Sequence, residues 1–394
     1  IASHNKKFNK SLEVEMSPCS SAPLRRSANL KPNIRWLLGC AVGVILLVGA
    51  QADDGAKTFI DPLNQASLQS SLASTTQLVG LARAGDRLVA VGWRGHIVYS
   101  DDQGRTWLQA QVPVGADLTA VTFVSATTGW AVGHGGVILR TLDGGLTWSK
   151  QQDGFSTGKL MADFYQQRLD QAAEADLPAA ANLVEQVHQN YDTGPEQPWL
   201  DVWFENERHG YVVGTFNLIM ETQDGGEHWT PLLDKIDNPE GLHLSAISAV
   251  DGELYIASER GTVFRLDKTS QHFEALNTGY VGSFFGVTGN TQAVLAYGLR
   301  GNVWRSTDKG ATWSKIDTGI VNTLTGATVL TDQRIALVSQ GGAMLIGDSA
   351  AEHFQPSKLS QNLPFANVVE AGKDAVVIVG TQGAQRESVP AFGG

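Results

Sequence analysis

An eight-residue pattern, Ser/Thr-x-Asp-x-Gly-x-Thr/His-Trp, occurs four times in this chain and combines a carboxylate, a glycine and an aromatic ring. Its key residues are Asp102, Gly104 and Trp107; Asp143, Gly145 and Trp148; Asp224, Gly226 and Trp229; and Asp308, Gly310 and Trp313. The carboxylates could serve as catalytic acids. They could instead accept backbone N–H groups of their own turns, with the glycine supplying a backbone geometry that a side chain would penalise. Because the copies recur along the chain in separate units, we interpret the pattern as a turn-forming device whose tryptophan packs in the core.

Other catalytic and metal-binding patterns have little support. The nine histidines include no His-Glu-x-x-His motif, so we expect no metal and no cofactor. The loop 234–241 contains oxygen ligands suited to Ca²⁺, but a solvated connection is the simpler interpretation. A sialidase-like glycoside hydrolase acting on extracellular glycans is the alternative function, with Tyr280 or Tyr297 as nucleophile and Glu259 as partner. The Phe/Tyr-Arg-Ile-Pro segment of those enzymes is missing, since the Arg-Ile at 334–335 continues as Ala-Leu. We therefore expect a non-catalytic protein.

Two sets of arginines recur at fixed distances from the small residue that ends each Val-Ala-Val-Gly-type strand. The first set follows it by two residues and comprises Arg94, Arg260 and Arg300. The second set follows it by seven residues and comprises Arg140, Arg265 and Arg305. We expect the first set on one rim of the fold, where guanidinium groups could bind carboxylates of a partner. Solvated turn residues are the alternative for this set, and stacking on tryptophans between structural units is an interpretation for the second.

The elements that must position these residues repeat with a period near 41. The strand-ending residue falls at Gly92, Gly133, Gly214, Ser258, Gly298, Ser339 and Gly380. An aromatic residue follows 15 positions later at Trp107, Trp148, Trp229, Phe273, Trp313 and Phe354. Such a period, with turn signals inside each unit, is typical of a four-stranded propeller blade. We therefore predict an all-β, seven-bladed β-propeller over residues 53–394.

Two departures from the repeat carry further predictions. The last repeat lacks its aromatic hairpin, whereas residues 57–63 resemble an outer strand. We predict that this strand, with Phe59 in the aromatic position, completes the last blade and closes the ring. The single 81-residue interval contains residues 155–195, whose apolar residues recur roughly once per helical turn. A two-helix insertion is predicted there, and a degenerate eighth blade is the alternative.

The N-terminal 52 residues are predicted to be a signal peptide. A basic region precedes the apolar run 36–49, and Ala50-Gln51-Ala52 provides a cleavage site. Met16 is a plausible start of the natural protein. A retained membrane anchor is the alternative, but the run is shorter than the ~20 residues that span a bilayer. Cys40 follows Leu-Leu-Gly as in a lipoprotein signal, yet it precedes most of the apolar run.

The charge and cysteine content of the remaining chain exclude some partners. Residues 53–394 keep 22 of the 29 basic and 38 of the 40 acidic residues, a net charge near −16. A surface this acidic repels nucleic acid. Both cysteines, Cys19 and Cys40, lie in the predicted signal, which suits an oxidising compartment. We expect an exported protein, periplasmic or else lumenal or extracellular, that is a monomer and does not itself span the membrane.

The longer repeat V-G-x-x-G-x-I-x-R-T-x-D-G-G-x-T-W, clearest at 129–148, resembles that of the photosystem II stability and assembly factor family. The Asp hairpins alone are similar to bacterial neuraminidase repeats. The resemblance covers nearly all of residues 53–394 apart from the insertion at 155–195. It implies a secreted or lumenal seven-bladed propeller that binds an assembling membrane protein complex rather than catalysing a reaction. It also implies that the second set of arginines contributes to a basic patch.

Overall fold

The computed structural model describes residues 60–390, which form seven antiparallel sheets arranged as blades. Six blades have four strands and one has three. The prediction of an all-β, seven-bladed propeller is confirmed. The predicted signal at 1–52 and Phe59 lie outside the described residues. None of the helices in the described part of the chain is long and apolar enough to cross a membrane.

Within each blade the strands follow one another in chain order from the inside of the ring outward. Blades 1 and 2 contain β1 (Leu78–Ala84), β2 (Arg87–Gly92), β3 (Ile97–Ser100), β4 (Leu108–Gln109), β5 (Leu118–Phe123), β6 (Gly129–Gly133), β7 (Ile138–Thr141) and β8 (Ser149–Gln152). Blades 3 and 4 contain β9 (Trp199–Phe204), β10 (Gly210–Gly214), β11 (Ile219–Thr222), β12 (Thr230–Pro231), β13 (Leu244–Val250), β14 (Glu253–Ser258), β15 (Thr262–Asp267) and β16 (His272–Asn277). Blades 5 to 7 contain β17 (Phe284–Gly289), β18 (Val294–Gly298), β19 (Val303–Ser306), β20 (Ser314–Ile316), β21 (Leu324–Val329), β22 (Ile335–Ser339), β23 (Met344–Gly347), β24 (Phe354–Ser357), β25 (Phe365–Glu370), β26 (Ala375–Gly380) and β27 (Gly383–Ser388).

The second strand of each blade explains the period of the sequence. Every residue of β6, β10 and β18 is buried, because this strand lies in the middle of its sheet and is covered by blades on both faces. A strand covered on both faces has a continuous apolar run rather than an alternating one. The Val-Ala-Val-Gly-type runs are therefore the buried spines of successive blades.

The ring closes through side-chain packing between blades 7 and 1. The innermost strand of each blade contacts that of the next, and β25 contacts β1. Val377 and Val379 belong to one apolar cluster with Leu88 of blade 1. Two arginines add hydrogen bonds across this junction: Arg83 Nη1 donates to Glu370 O at 2.8 Å, and Arg386 Nε donates to Gln103 O at 3.1 Å.

The predicted closing strand at 57–63 is wrong in its described part. The last blade has three strands within residues 60–390, and Pro62–Asn64 forms a 3₁₀ turn against blades 1 and 2 instead. Asp61 Oδ1 accepts the Leu63 N–H at 2.9 Å, and a proline has no N–H for a sheet ladder. The turn is fixed by Gly115 N, which donates to Pro62 O at 2.7 Å. The chain reaches the last blade further on, where Ala73–Thr75 contacts β27.

The insertion between β8 and β9 consists of α1 (Gly154–Asp170) and α2 (Leu177–Tyr191). The prediction of two helices is therefore confirmed, and the alternative of an eighth blade is wrong. Asp153 and Ser156 cap α1 reciprocally. The buried Tyr165 anchors α1 to blade 3, because its hydroxyl accepts the Leu233 N–H at 2.8 Å and donates to Asp234 Oδ1 at 3.3 Å.

Candidate docking face

The carboxylate of each Ser/Thr-x-Asp turn is occupied by hydrogen bonds within its own turn. Asp143 Oδ1 accepts from Thr141 Oγ1 at 2.8 Å and from the N–H groups of Leu146 and Thr147 at 3.0 Å each. Its Oδ2 accepts from Thr147 Oγ1 at 2.6 Å. Asp102 repeats this pattern, and Asp308 repeats it except that the Ala311 N–H donates to the Asp308 carbonyl oxygen at 3.3 Å. In the third copy a histidine replaces the final threonine.

These hydrogen bonds lower the pKa values of the aspartates. The Thr312 hydroxyl and N–H hold the pKa of Asp308 at about 2, and Thr106 likewise holds the pKa of Asp102 well below its usual range. For Asp143, burial raises the pKa, but the bonds from Thr147 and Thr141 outweigh it and the net shift is downward. A general acid needs a proton at working pH, which these groups lack. They also lie in four different blades, so they cannot act together on one substrate.

The glycine and tryptophan of each turn have structural roles as well. The glycines adopt left-handed backbones, with φ of 84°, 87°, 90° and 91° at Gly104, Gly145, Gly226 and Gly310. Trp148 and Trp229 are buried, whereas Trp107 and Trp313 are half-buried. In two copies the indole N–H donates to the carbonyl of the turn glycine, at 3.1 Å from Trp148 and 3.0 Å from Trp313. The four turns therefore fasten the third strand of a blade to its outer strand.

The residues proposed for a sialidase-like site do not form a nucleophile–base pair. Burial raises the pKa values of both Tyr280 and Tyr297. Tyr280 Oη donates to Leu299 O at 3.1 Å, and Glu259 Oε2 accepts the His243 N–H at 2.9 Å. No hydrogen bond joins either tyrosine to Glu259 within the described chain. The residues from 60 to 390 also contain no cluster of three or more His, Cys, Asp or Glu side chains suited to a metal.

The turns between second and third strands, together with the connections between blades, form one face of the ring, here called the upper face. In six of the seven described blades the first N–H of this turn bonds to the residue just before the blade's inner strand, as from His134 to Asp117 O at 2.8 Å. The insertion lies on the same face, since α1 contacts His134–Gly136 and Asn190 of α2 donates to Phe216 O at 3.5 Å.

Arg94, Arg260 and Arg300 lie on the upper face and share an unusual backbone. Each is exposed and left-handed, with φ of 57°, 53° and 58°, and each is followed by a left-handed glycine. Two such residues in succession form a type I′ turn. The same position in blade 2 is Gly135, with φ of 66°. A residue other than glycine costs about 1–3 kcal/mol in this conformation. Gln103 and Lys309 adopt it as well, in two of the aspartate turns, so the conformation is not confined to the upper face.

The surroundings of these arginines mix free cations with exposed apolar side chains. Arg260 forms an ion pair with Glu240. Within residues 60–390, Arg94 and Arg300 have no ion-pair partner. The blade connections of the same face carry Val281 and Val321, which are 90% and 83% exposed. Exposed apolar residues beside arginines are typical of protein-binding surfaces.

The mouth of the central channel opens on the same face. A cavity of about 430 Å³ lies between blades 1, 5, 6 and 7. Its lining includes Val79, Phe285, Gln340 and Thr381. The Phe285 ring is partly exposed there. An extended segment bound to the upper face could therefore place a side chain in this mouth.

The second set of arginines joins neighbouring blades on the opposite side. Arg305 Nε donates to Ala350 O of the next blade at 2.7 Å, and Arg265 Nη1 donates to Lys309 O at 3.0 Å. The Arg140 guanidinium lies 5.6 Å from the centre of the Trp130 ring and forms an ion pair with Glu227 at 3.6 Å. The structure brings none of the three to the upper face. Arg386 bridges blades 7 and 1 in the same way. The sequence analysis did not include it in the second set because it follows the strand-ending Gly380 by six residues instead of seven.

A histidine cluster in blade 3 was also missed by the sequence analysis. His209 Nδ1 lies 2.9 Å from Glu205 and its Nε2 lies 2.8 Å from Glu221, which also accepts from Tyr211 Oη at 3.1 Å. Burial lowers the pKa of His209, but the two carboxylates outweigh burial and raise it. Glu205 and His209 are four residues apart across a turn, and this spacing alone did not predict that their side chains meet.

Comparison with known proteins identifies relatives of this chain. The family model described as "Photosynthesis system II assembly factor YCF48" matches residues 99–170 and 180–344, more than half of the chain. Photosystem II assembly lipoprotein Ycf48 of Synechococcus sp. (strain CC9902) is 31% identical over 118 residues, which are 29% of this chain and 35% of that protein. Its namesake from Synechococcus sp. (strain RCC307) is 47% identical over 55 residues, 14% of this chain and 16% of the relative. The matches thus span about a third or less of these relatives.

Solved structures share the propeller fold. The structure described as "YCF48 bound to D1 peptide" has a TM-score of 0.58 and 15% identity, covering 84% of this chain and 98% of that chain. YCF48 from Cyanidioschyzon merolae gives a TM-score of 0.58 at 16% identity, with 83% and 98% covered. The match to the family model covers both the aspartate turns and the blades that carry them, and this chain therefore belongs to the YCF48 family of photosystem II assembly factors.

Proposed function

We propose that this chain is an exported, non-catalytic scaffold that binds an extended segment of a membrane protein on its upper face during assembly of a membrane complex. The observation that carries this proposal is the joint exposure of Arg94, Arg260 and Arg300 on the upper face, which also carries the exposed Val281 and Val321. These residues keep long cationic side chains at a turn position where the chain's own blade 2 uses glycine. The same backbone conformation occurs at Gln103 and Lys309 on the other side of the ring, so the support comes from the side chains: within residues 60–390, Arg94 and Arg300 are exposed and have no ion-pair partner.

Charge indicates the kind of segment that would bind. The chain is acidic overall, with a formal net charge of −11. An acidic segment would be repelled by most of this surface and attracted to the few places where cations are free. Arg94 and Arg300 provide two such places, and each guanidinium can bind a carboxylate through two parallel hydrogen bonds. We therefore expect a segment with carboxylates spaced along it and apolar side chains between them.

The relatives support this function. A solved relative is described as bound to a D1 peptide, and curated relatives are named photosystem II assembly lipoproteins. Those names describe a protein partner, an assembly role and a lipid-attached protein for the relatives. For this chain they support a membrane-protein client, the absence of an enzymatic role and export from the cytoplasm. The client's chemistry is the part that the upper face itself suggests.

Capture of a client from detergent-solubilised membranes tests the proposal. The variant changes all three rim arginines to glycine, because glycine fits the left-handed turn. A matched control, Arg105→Gln with Lys268→Gln and Lys315→Gln, removes three positive charges away from the upper face. We expect the control to capture the same membrane protein as the unchanged chain and the glycine variant to lose it. If both variants capture the membrane protein equally well, the upper face is not the docking surface.

Export has a separate test. We expect the mature protein, isolated from its natural membranes or periplasm, to begin at Asp53 after cleavage behind Ala52. Intact-mass and N-terminal peptide analysis would measure this directly. A lipid-modified Cys40 at the N-terminus would instead show that export follows the lipoprotein route, and a mature chain starting upstream of both sites would contradict signal cleavage.

A further inference from the structure

A second site lies on the upper face, between α2 and blade 3. It is a pocket of about 460 Å³ bordered by Phe216, Pro239, Glu240 and Gly241 on the blade side. Five primary amides complete its lining: Asn182, Gln186, Gln189, Asn190 and Gln197. A lining so rich in neutral groups that both donate and accept hydrogen bonds is distinct from the arginine surface described above.

Four of these amides share one face of α2. Asn182, Gln186, Gln189 and Asn190 are spaced i, i+4, i+7 and i+8, which places them together on an α-helix. Val187 and its apolar neighbours pack toward α1 and the core instead. The helix therefore has an apolar side facing the protein and an amide side facing the pocket. Glu185 lies at the edge of the amide side, where its Oε1 accepts from Gln189 Nε2 at 3.1 Å.

Phe216 provides an aromatic surface at the pocket. Its side chain is 49% exposed, although its backbone is left-handed with φ of 49°. The ring is held edge-to-face against His243 at 4.5 Å, and the Phe216 N–H donates to His243 Nδ1 at 3.0 Å. A bulky residue in this conformation is a backbone outlier. It occupies the same turn position as the rim arginines, where blade 2 has Gly135.

The blade side of the pocket is rigid. Asn217 and Asn238 are both buried, and Asn238 Nδ2 donates to Asn217 Oδ1 at 2.8 Å. Asn217 Nδ2 donates in turn to Leu233 O at 3.1 Å, and the Leu242 N–H donates to Asn238 Oδ1 at 2.9 Å. A buried polar network of this kind fixes the loop that carries Pro239–Gly241. The pocket is therefore preformed, which lowers the entropy cost of binding.

Several amides retain unused hydrogen-bonding capacity. Gln186 Oε1 is buried without a donor among the described residues. Asn190 is buried too, and its Nδ2 donates to Phe216 O only at the limiting distance of 3.5 Å. Glu240 is the one charged residue of the lining, and its carboxylate is paired with Arg260. The lining itself thus presents neutral donors and acceptors beside an aromatic ring, and the carboxylate at its edge, Glu185, is bonded to Gln189.

We propose that this pocket binds a neutral saccharide. A pyranose ring has an apolar C–H face that can lie on Phe216, and its hydroxyl groups both donate and accept, as amides do. The volume falls in the range of small-molecule sites. Glycoside hydrolysis ordinarily requires a pair of carboxylates, whereas the lining holds only Glu240. The pocket binds its sugar without cleaving it and stands apart from the proposed docking of a protein segment.

The test uses the full chain and three neutral probes, namely chitotriose, maltotriose and cellotriose. Saturation-transfer NMR detects binding, and titration calorimetry measures Kd. We expect at least one probe to bind with a Kd in the millimolar range or tighter. Phe216→Gly, which suits the left-handed turn, and Gln186→Leu should each weaken binding at least tenfold. Gln167→Leu, an exposed glutamine of α1 outside the pocket, should leave it unchanged.

Three results would overturn the proposal. If none of the probes gives saturation transfer at millimolar concentration, the pocket does not bind a neutral saccharide. Unchanged affinity in both pocket variants would place any bound sugar elsewhere on the protein. Binding of the neutral peptide Gly-Asn-Ser-Gly, lost in Phe216→Gly while no saccharide binds, would assign the pocket to peptides. Thermal unfolding of each variant, measured alongside, establishes that it is folded.

Discussion

Replacing Asp143 separates a turn-forming aspartate from a catalytic one. In the Asp143→Ala variant the Leu146 and Thr147 N–H groups and two threonine hydroxyls lose their shared acceptor. In Asp143→Asn the side-chain oxygen remains, so the three bonds to Oδ1 can persist. The two variants therefore have the same loss of charge but very different effects on the turn.

The structure gives the size of each effect. The turn is partly exposed, so water replaces much of what alanine removes, and each lost bond costs about 0.5–1 kcal/mol. Four bonds give a loss of about 2–4 kcal/mol for Asp143→Ala. The asparagine variant loses only the charge-assisted part of the contact to Thr147, about 1 kcal/mol or less. For a domain of this size, each kcal/mol lowers the Tm by about 2 °C.

Thermal unfolding followed by circular dichroism measures the difference. We expect Asp143→Ala to lower the Tm by about 4–8 °C and Asp143→Asn by about 2 °C or less. Asp86→Ala is the control, because this carboxylate is fully exposed and touches only Arg83 at 3.9 Å, so its Tm should not change measurably. Equal Tm values for the alanine and asparagine variants would show that the turn does not depend on the acceptor, and the structural role would be wrong.

Three further perturbations test other parts of the fold. Gly104→Ala places a Cβ 2.3 Å from Val377 Cγ2 across the junction of blades 7 and 1, so we expect a loss of about 1–3 kcal/mol in chemical denaturation. Tyr165→Phe leaves the Leu233 N–H without its acceptor, and we expect a loss of about 1–3 kcal/mol in the same assay. The pKa of Asp308 is lowered to about 2, so its contribution to stability is present above its ordinary pKa and is lost as the pH falls through 2. Melting curves from pH 5 to pH 2 should therefore fall more steeply for the unchanged chain than for Asp308→Asn, and parallel curves would contradict this linkage.

The sequence predicts the propeller because every repeat carries an apolar second strand and four of the seven also carry an aspartate turn. The fully apolar second strand, such as Gly129–Gly133, shows that both faces of a sheet must be covered. The aspartate turn then fixes where the third strand ends and the outer strand begins. A sheet that must be covered on both faces stacks against neighbouring copies, and within residues 60–390 the first and last blades pack against each other to close the ring. The number of blades followed directly from the number of apolar runs.

The ends of the chain and the pocket could not be predicted in the same way. Residues 57–63 resemble an outer strand in composition, but the local chemistry of Asp61 and Pro62 favours a turn. A comparison of residue types over seven positions does not show that Pro62 lacks the N–H group that a strand would donate. The amide pocket depends on how α2 packs against blade 3, which brings Asn190 to Phe216 across 26 residues of chain. Phe216 occupies a repeat position, but Asn190 lies in the insertion and has no counterpart in the other units, so no internal comparison pairs the two residues.

The left-handed turn positions of the two faces hold different kinds of residue, and that difference bears on the proposed docking face. On the side of the aspartate turns, the position before the last glycine is Gly144 and Gly225 in two copies but Gln103 and Lys309 in the other two, with φ of 62° and 58°. On the upper face, the matching turn position holds Arg94 and Phe216, although Gly135 shows that glycine suits it. Left-handed residues other than glycine are therefore tolerated on both sides of the ring, and the conformation does not by itself mark a binding surface. What sets the upper face apart is the chemistry of the side chains at its turns. Arg94 and Arg300 are exposed and have no ion-pair partner within residues 60–390, which fits the proposed protein segment, and the exposed ring of Phe216 fits the proposed neutral ligand.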